Sequence, residues 1–385
     1  MLKTERSRGL DTLRASAISL VFMHHYMSFV SHRPTFGWLG IVGWSGVDLF
    51  FVLSGYLIGN QLFSGIARGQ RLDTQAFYAR RALRTWPAFW VVLSAYFLFP
   101  ASMGGDTPPA LWRFLTFTQN IGLHPGTALS HAWSLCIEEQ FYLLVPLVLW
   151  LCGRTKAPRS YTWALFLGLL CLGIVSRIVR WKSYAAAGMH TADDYYPNIY
   201  YSTLCRFDEF LPGLAVAMIK NYHPTLWTRL TRRGQSLLVT GSIATGSMLF
   251  LLYRYYHIDH YGYGFCMTAF GYSLLSLSFA VLVLAALSPT SLLYRLRIPG
   301  AYHIALWSYS TYLSHKAVFN VVGAYSERLH LSGALTLIIA TVTSIACGAL
   351  LYWLIETPFM VLRDRLFPAL FHERERVSVA AREIA

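Results

Sequence analysis

The chain has 385 residues, of which 55% are hydrophobic and only 13% charged, against about 25% charged in an ordinary soluble domain. That balance excludes a soluble globular protein and points to an all-α, polytopic membrane protein with one integral domain. The formal net charge of +14 does not point to nucleic acid, because the basic residues sit in short loops between apolar runs and form no basic domain of their own.

A membrane-spanning helix needs roughly 20 mostly apolar residues. With that ruler the chain reads as ten spans, at about 11–30, 44–64, 85–103, 131–152, 162–180, 201–219, 236–256, 264–287, 301–322 and 333–355. An even count puts both ends on one side of the bilayer. Lys3, Arg6, Arg8 and Arg14 lead the first span, and Arg68, Arg71, Arg80, Arg81 and Arg84 lead the third. Further basic residues fill the 153–161, 220–235 and 288–300 loops and the last segment, with Lys156, Arg374, Arg376 and Arg382 among them. The loops on the other side hold little more than Arg33, Arg113 and Arg328. The positive-inside rule then makes both termini cytoplasmic. Arg177, Arg180 and Lys182 break the pattern at the outer end of the fifth span.

Residues 1–365 are expected to form the integral domain and 366–385 a cytoplasmic tail. The charged N-terminus lacks a small-x-small cleavage site and reads as a retained first helix. No appended soluble domain is expected. Two outward loops are long, 104–130 and 181–200. The second carries "DDYYPNIYY", whose tyrosines suit either an interfacial belt or stacking on a sugar. The six cysteines, Cys136, Cys152, Cys171, Cys205, Cys266 and Cys347, lie in or beside apolar runs without metal-ligand spacing. They read as small buried hydrophobes, and no metal site is expected.

Ionisable groups inside spans are costly and are functional candidates by default. In "RRALRTWP", Arg80, Arg81 and Arg84 stand at the mouth of the third span, with Arg81 and Arg84 at i,i+3 on one helix face. They either set topology or, as paired guanidinium forks, grip phosphates. In the first span His25 lies eleven residues beyond Arg14, roughly 16 Å along a helix and about halfway through the apolar core. It is a candidate general base, beside the commoner part of a structural hydrogen-bonder. Asp48 stands near the outer end of the second span and needs a partner. Glu138 lies seven residues inside His131, roughly 10 Å by helix rise, at a depth where it could meet and orient His25. Glu139 points about 100° away from Glu138, so only one of the two is expected to line the site. "TLCRFDEFLPG" brings Arg206, Asp208 and Glu209, either an internal ion pair or a substrate contact. "WSYSTYLSHKAV" brings His315 and Lys316. Asp48, Arg206, Asp208 and His315 are the weaker substrate-binding candidates. Glu356 and Pro358 end the last span and read as structural.

Together these stretches resemble the acyltransferase-3 family of bacterial membrane proteins. The resemblance rests on "RGLDTLRA" followed by His25, then "GWSGVDLFFVLSGYLIG", "RRALRTWP", "HAWSLCIEEQFYL", "TLCRFDEFLPG", "SYSTYLSH" and "IETPF", in that order over about residues 8 to 365. It implies a ten-helix core in the bacterial inner membrane, an acyl-CoA donor on the cytoplasmic side, and a carbohydrate or lipid-linked carbohydrate acceptor. By position, His25 matches the family's first-helix histidine, Arg81 and Arg84 its Arg-x-x-Arg pair, and Glu138 the acidic residue after "WSL". The chain departs in "LDTLR", where Gly is common in the middle, and in "RTWP", where Ile often follows the second Arg. Neither change removes a functional group.

The expected mechanism follows. Arg81 and Arg84, with Arg80 and Arg14, hold the donor's phosphates; the thioester reaches mid-membrane; His25 takes the hydroxyl proton and Glu138 steadies it. The competing reading is a transporter or flippase for a glycolipid or small anion, using the same His and Glu as a proton relay. A matched pair of Gly/Pro-broken helices, which would favour transport, is not seen in the sequence.

Overall fold

The computed structural model describes residues 7–154, 159–188, 191–258 and 261–372. Lys3, Arg6, Lys156 and the expected tail from residue 373 on lie outside them. Most of the rest is helix. We number ten long helices: α1 (Arg8–Tyr26), α2 (Gly46–Ala67), α3 (Thr74–Leu98), α4 (Trp133–Arg154), α5 (Arg159–Ala186), α6 (Leu211–Tyr222), α7 (Gly234–Tyr255), α8 (Tyr272–Ala286), α9 (Ala301–Arg328) and α10 (Gly333–Leu351). Among the described residues, five stretches are long and apolar enough to cross a membrane: Gly43–Ala67, Thr162–Ala186, Gly234–Tyr255, Met267–Ala286 and Gly333–Leu366. Of the other long helices, α1, α3, α4 and α9 are interrupted by ionisable side chains, and those side chains build the site.

Local chemistry sets the boundaries. Asp73 caps α3 by accepting the Ala76 amide at 2.9 Å. The helix therefore starts eleven residues before the span expected at 85, and all three arginines ride on it. The expected sixth span breaks into a turn of helix at Thr203–Arg206, a tight 3₁₀ turn at Phe207–Phe210, and α6. The last span runs through a π turn at Tyr352–Glu356 into a helix at Thr357–Leu366. Residues beyond it do not trail away. Phe371 and His372 pair with Leu72 and Arg71 as a two-residue ribbon, and the Phe371 ring packs on Gly65.

Small residues let the helices meet at backbone distance. α2 lies along α6. A side chain at Gly55 would strike the Phe210 carbonyl, and one at Gly213 the Val52 carbonyl. α1 packs between α2 and α9, and α10 backs α9.

Two fully buried arginines organise the interior. Arg177 holds both oxygens of Asp208 at 2.7 and 3.0 Å, and also donates to the Ala269 and Cys205 carbonyls. Its anomaly against the positive-inside rule disappears here, because it is an interior ion-pair partner and not a flanking charge. Arg206 donates to Asp48 at 3.2 Å and to Glu209. Its guanidinium sits 4.1 Å from the centre of the Tyr272 ring, 4.7 Å from that of Tyr200 and 4.9 Å from that of Trp133. The tyrosines of "DDYYPNIYY" turn inward to the same region, with Tyr195 stacked on Tyr263 at 3.6 Å.

The expected Arg206–Asp208 pairing is therefore corrected to two separate pairs, with Asp48 the missing partner of Arg206. Asp48, Arg206 and Asp208 have no exposed surface, so their geometry is that of scaffold and not of substrate contacts. Removing one member of a buried pair costs about 3–5 kcal/mol. Asp208→Ala should accordingly lower the unfolding temperature in detergent sharply, whereas the double change Arg177→Met with Asp208→Leu should recover most of the loss.

Candidate functional site

At one end of the site, α1 supplies His25 and α9 supplies Tyr312, His315 and Lys316. The turn before α4 supplies Ser130 and His131. His315 Nδ1 lies 3.1 Å from the carbonyl oxygen of Thr311 and 2.8 Å from that of Tyr312, in its own helix. Carbonyl oxygens only accept, so Nδ1 carries the proton. In the neutral ring Nε2 is then an acceptor. It faces His25 Nδ1 at 2.6 Å, with the two rings 14° from parallel. His25 Nδ1 therefore donates, and the lone pair of His25 is placed on Nε2. His25 is half-buried, and its Nε2 has no hydrogen-bond partner among the described residues. A chain of two neutral imidazoles, anchored on backbone, thus points an open base nitrogen out of the pair.

His131 closes the group. Its ring centre is 5.4 Å from that of His315 and 6.3 Å from that of His25. Its Nε2 donates to the Leu313 carbonyl at 3.2 Å, while Nδ1 is buried without a hydrogen-bond partner among the described residues. The sequence reading used His131 only as a depth marker.

The second group lies further along α4. Glu138 accepts from the hydroxyls of Ser54 and Tyr142 and pairs with Arg81 at 3.4 Å. Arg81 lies flat over the Tyr142 ring, 3.5 Å from its centre. Glu139 pairs with the other edge of Arg81 at 4.0 Å, and accepts from Thr85 at 3.0 Å and Trp86 at 3.3 Å. Both adjacent carboxylates therefore belong to the site, because Arg81 lies between them. Tyr309 bridges back to α3 by donating to the Thr85 carbonyl at 2.8 Å.

The expected contact between His25 and Glu138 is replaced by two others. His25 is partnered by His315, and Glu138 by Arg81. The physical reason is reach: seven residues of helix, roughly 10 Å, separate Glu138 from His131 and its neighbours. Ser134 and Tyr312 fill that interval, hydrogen-bonded to each other at 2.7 Å. Tyr312 also donates to the backbone carbonyl of His131, so these two hydroxyls tie α9 to the start of α4.

The three arginines divide. Arg80 is occupied by the Phe367 carbonyl and by Asp364 at 3.0 Å, so it clamps the returning C-terminal segment. Arg81 is held by the two glutamates, with a buried Nε that hydrogen-bonds to nothing among the described residues. Arg84 is exposed and makes no hydrogen bond or close ion pair among the described residues; the acid acting on it is Glu356, itself engaged by Ser310. Its free guanidinium fork fits a phosphate. Arg14 is half-buried on α1. Among the described residues no group of three or more His, Cys, Asp or Glu side chains is arranged to hold a metal ion.

Residues 7–353 match the acyltransferase-3 family, described as "Acyltransferase domain". The chain belongs to that family. Membership sets aside the transporter reading. The chain is 28% identical to the O-acetyltransferase OatA of Staphylococcus aureus strain MRSA252, over 98% of its own length and 60% of the relative's. It is 31% identical to the putative peptidoglycan O-acetyltransferase YrhL of Bacillus subtilis strain 168, over 56% of this chain and 34% of that one. It is also 31% identical to the peptidoglycan O-acetyltransferase OatA of Listeria monocytogenes, over 55% and 33%. The chain thus spans less than two thirds of the length of these curated relatives. No solved structure matches it.

The clamp assigned to Arg80 is testable apart from any reaction. Arg80→Ala should expose the 364–372 segment to limited proteolysis, whereas Arg84→Ala should leave its protection unchanged.

Proposed function

We propose that this chain transfers an acyl group, most simply acetyl, from an acyl-CoA to a hydroxyl of a cell-wall carbohydrate, at the plasma membrane of a bacterium. The observation that carries the proposal is the open Nε2 of His25, held as a base by His315, in a chain whose Arg84 guanidinium is unengaged among the described residues. The names of the relatives support acetyl as the group and peptidoglycan as the kind of acceptor.

In this reading both ends of the chain face the cytoplasm, as the Lys and Arg distribution asks. The donor's phosphates dock on Arg84, with Arg14 of α1 as a second basic group. The slender pantetheine arm then enters past Glu138 and Tyr142. His25 Nε2 takes the proton of the acceptor hydroxyl. That oxygen attacks the thioester carbonyl carbon, the carbon–sulfur bond breaks, and the proton held on Nε2 passes to the departing thiolate. The products are the ester and the free thiol. Glu138 keeps Arg81 and Tyr142 in place and takes no part in the proton transfer.

General-base catalysis is worth roughly 10²–10⁴-fold. His25→Ala should therefore lower the rate of thiol release from acetyl-CoA by about that factor, with donor affinity unchanged. Full retention of the rate would remove His25 from the chemistry. Arg84→Ala should weaken donor binding about tenfold, the loss of one charge-assisted contact, and slow the saturated rate little. An unchanged dissociation constant for acetyl-CoA would detach Arg84 from the donor.

A further inference from the structure

Lys316 follows His315 on α9 and plays no part in the mechanism above. It is 6% exposed, yet no carboxylate comes within ion-pair distance of it among the described residues. Its ammonium donates to Ser130 Oγ at 3.0 Å and lies 4.7 Å from the centre of the Phe29 ring. An ammonium has three donors, and one acceptor leaves two for something else. The acid that acts on it from beyond contact is Asp106, which is exposed in the 104–130 segment. A buried cation without a close counter-ion is costly unless a ligand supplies the charge.

The space for such a ligand is present. Lys316 lines a cavity of about 200 Å³ together with Asn320, Phe29, Gly104, Gly105 and Gly126, room for several waters at ~30 Å³ each or one small polar substituent. Its wall is built from two stretches of chain held together by backbone. Asp106 donates to the Gly126 carbonyl at 3.1 Å, and Ala128 donates to that of Asp106 at 3.0 Å. Gly104 and Gly105 have φ of +73° and +95°, and a side chain on either would meet Asn320 or Ala128. The cavity is therefore kept open by glycines, with a cation at its wall. One ring separates that cation from the base, since Phe29 lies 5.5 Å from His25.

We infer that Lys316 binds a carboxylate of the acceptor, so that the acceptor is an acidic hydroxyl compound whose carboxyl-bearing arm sits in this cavity while a hydroxyl reaches His25. The placement of the hydroxyl rests on the transfer reading; the binding of the carboxylate does not. A neutral sugar would leave the ammonium without a close counter-ion. A carboxylate supplies a charge-assisted acceptor for its two remaining donors.

The test compares N-acetylmuramic acid with its methyl ester, which removes the charge and adds one methyl group, by direct binding to the purified full chain without any acyl donor. The wild-type protein should bind the acid at least tenfold more tightly than the ester. Lys316→Met should bring the ratio to about 1, and Lys316→Arg should keep most of it. His25→Ala should retain the wild-type preference while losing thiol release. Equal affinity of the wild-type protein for acid and ester overturns the inference, as does an undiminished preference in Lys316→Met. If the preference is found but no acetyl-CoA is consumed with either compound, the transfer reading fails and the carboxylate site stands.

Discussion

The two hydrogen bonds from His315 to carbonyls of its own helix are the constraint on which the site depends. They fix which nitrogen of His315 is protonated, and through it which nitrogen of His25 is not. The backbone of α9 therefore decides where the lone pair of α1 points. A carboxylate at that position would leave a charge to be satisfied in an apolar interior, whereas a neutral imidazole partner orients His25 without adding one. The arrangement depends on α1 and α9 being in direct packing contact, which the structure provides.

The remaining charges are sorted by the same cost. Arg177 and Arg206 are enclosed and given Asp208, Asp48 and Glu209, so they hold helices together at the break between the 3₁₀ turn and α6. Arg81 is nearly enclosed and is placed against two glutamates and an aromatic face. Only towards the ends of the site are cations left with donors to spare, Arg84 at one end and Lys316 at the other. A buried interior tolerates unspent charge where a ligand or solvent can reach it, and the placement of these two cations follows that rule.

Much of this was legible in the sequence. Apolar length located the helical stretches, because hydropathy is a local property, but among the described residues only five of them are long and apolar enough to cross a membrane. The basic triplet and the intramembrane His, Glu and Asp were recognisable as costly, hence purposeful. Partnership was not legible. Asp48 and Arg206 are 158 positions apart, and His25 and His315 are 290 apart; nothing in either local stretch names the other. Helix rise placed Glu138 and His25 at similar depth but could not say which neighbour stood between them. The side-by-side glutamates were expected to diverge, and they do, but Arg81 is long enough to serve both. Arg80 looked equivalent to Arg81 and Arg84 until the returning C-terminal segment took its donors. Lys316 stood out beside His315 but had no legible role, because its cavity is made by a glycine-lined segment far earlier in the chain.

The central claim is one polar passage, with a phosphate-binding arginine at one end and an imidazole base near the other. The most direct measurement is photo-crosslinking with an acetyl-CoA analogue carrying a small photoreactive group on its acyl carbon, followed by peptide mapping. The account predicts labels on α1 and α9 around His25, Tyr312 and His315, lost when Arg84 is replaced by alanine at low analogue concentration. Labels confined to outward-facing positions such as Leu143 or Ile243, or labelling unaffected by Arg84→Ala, would contradict it.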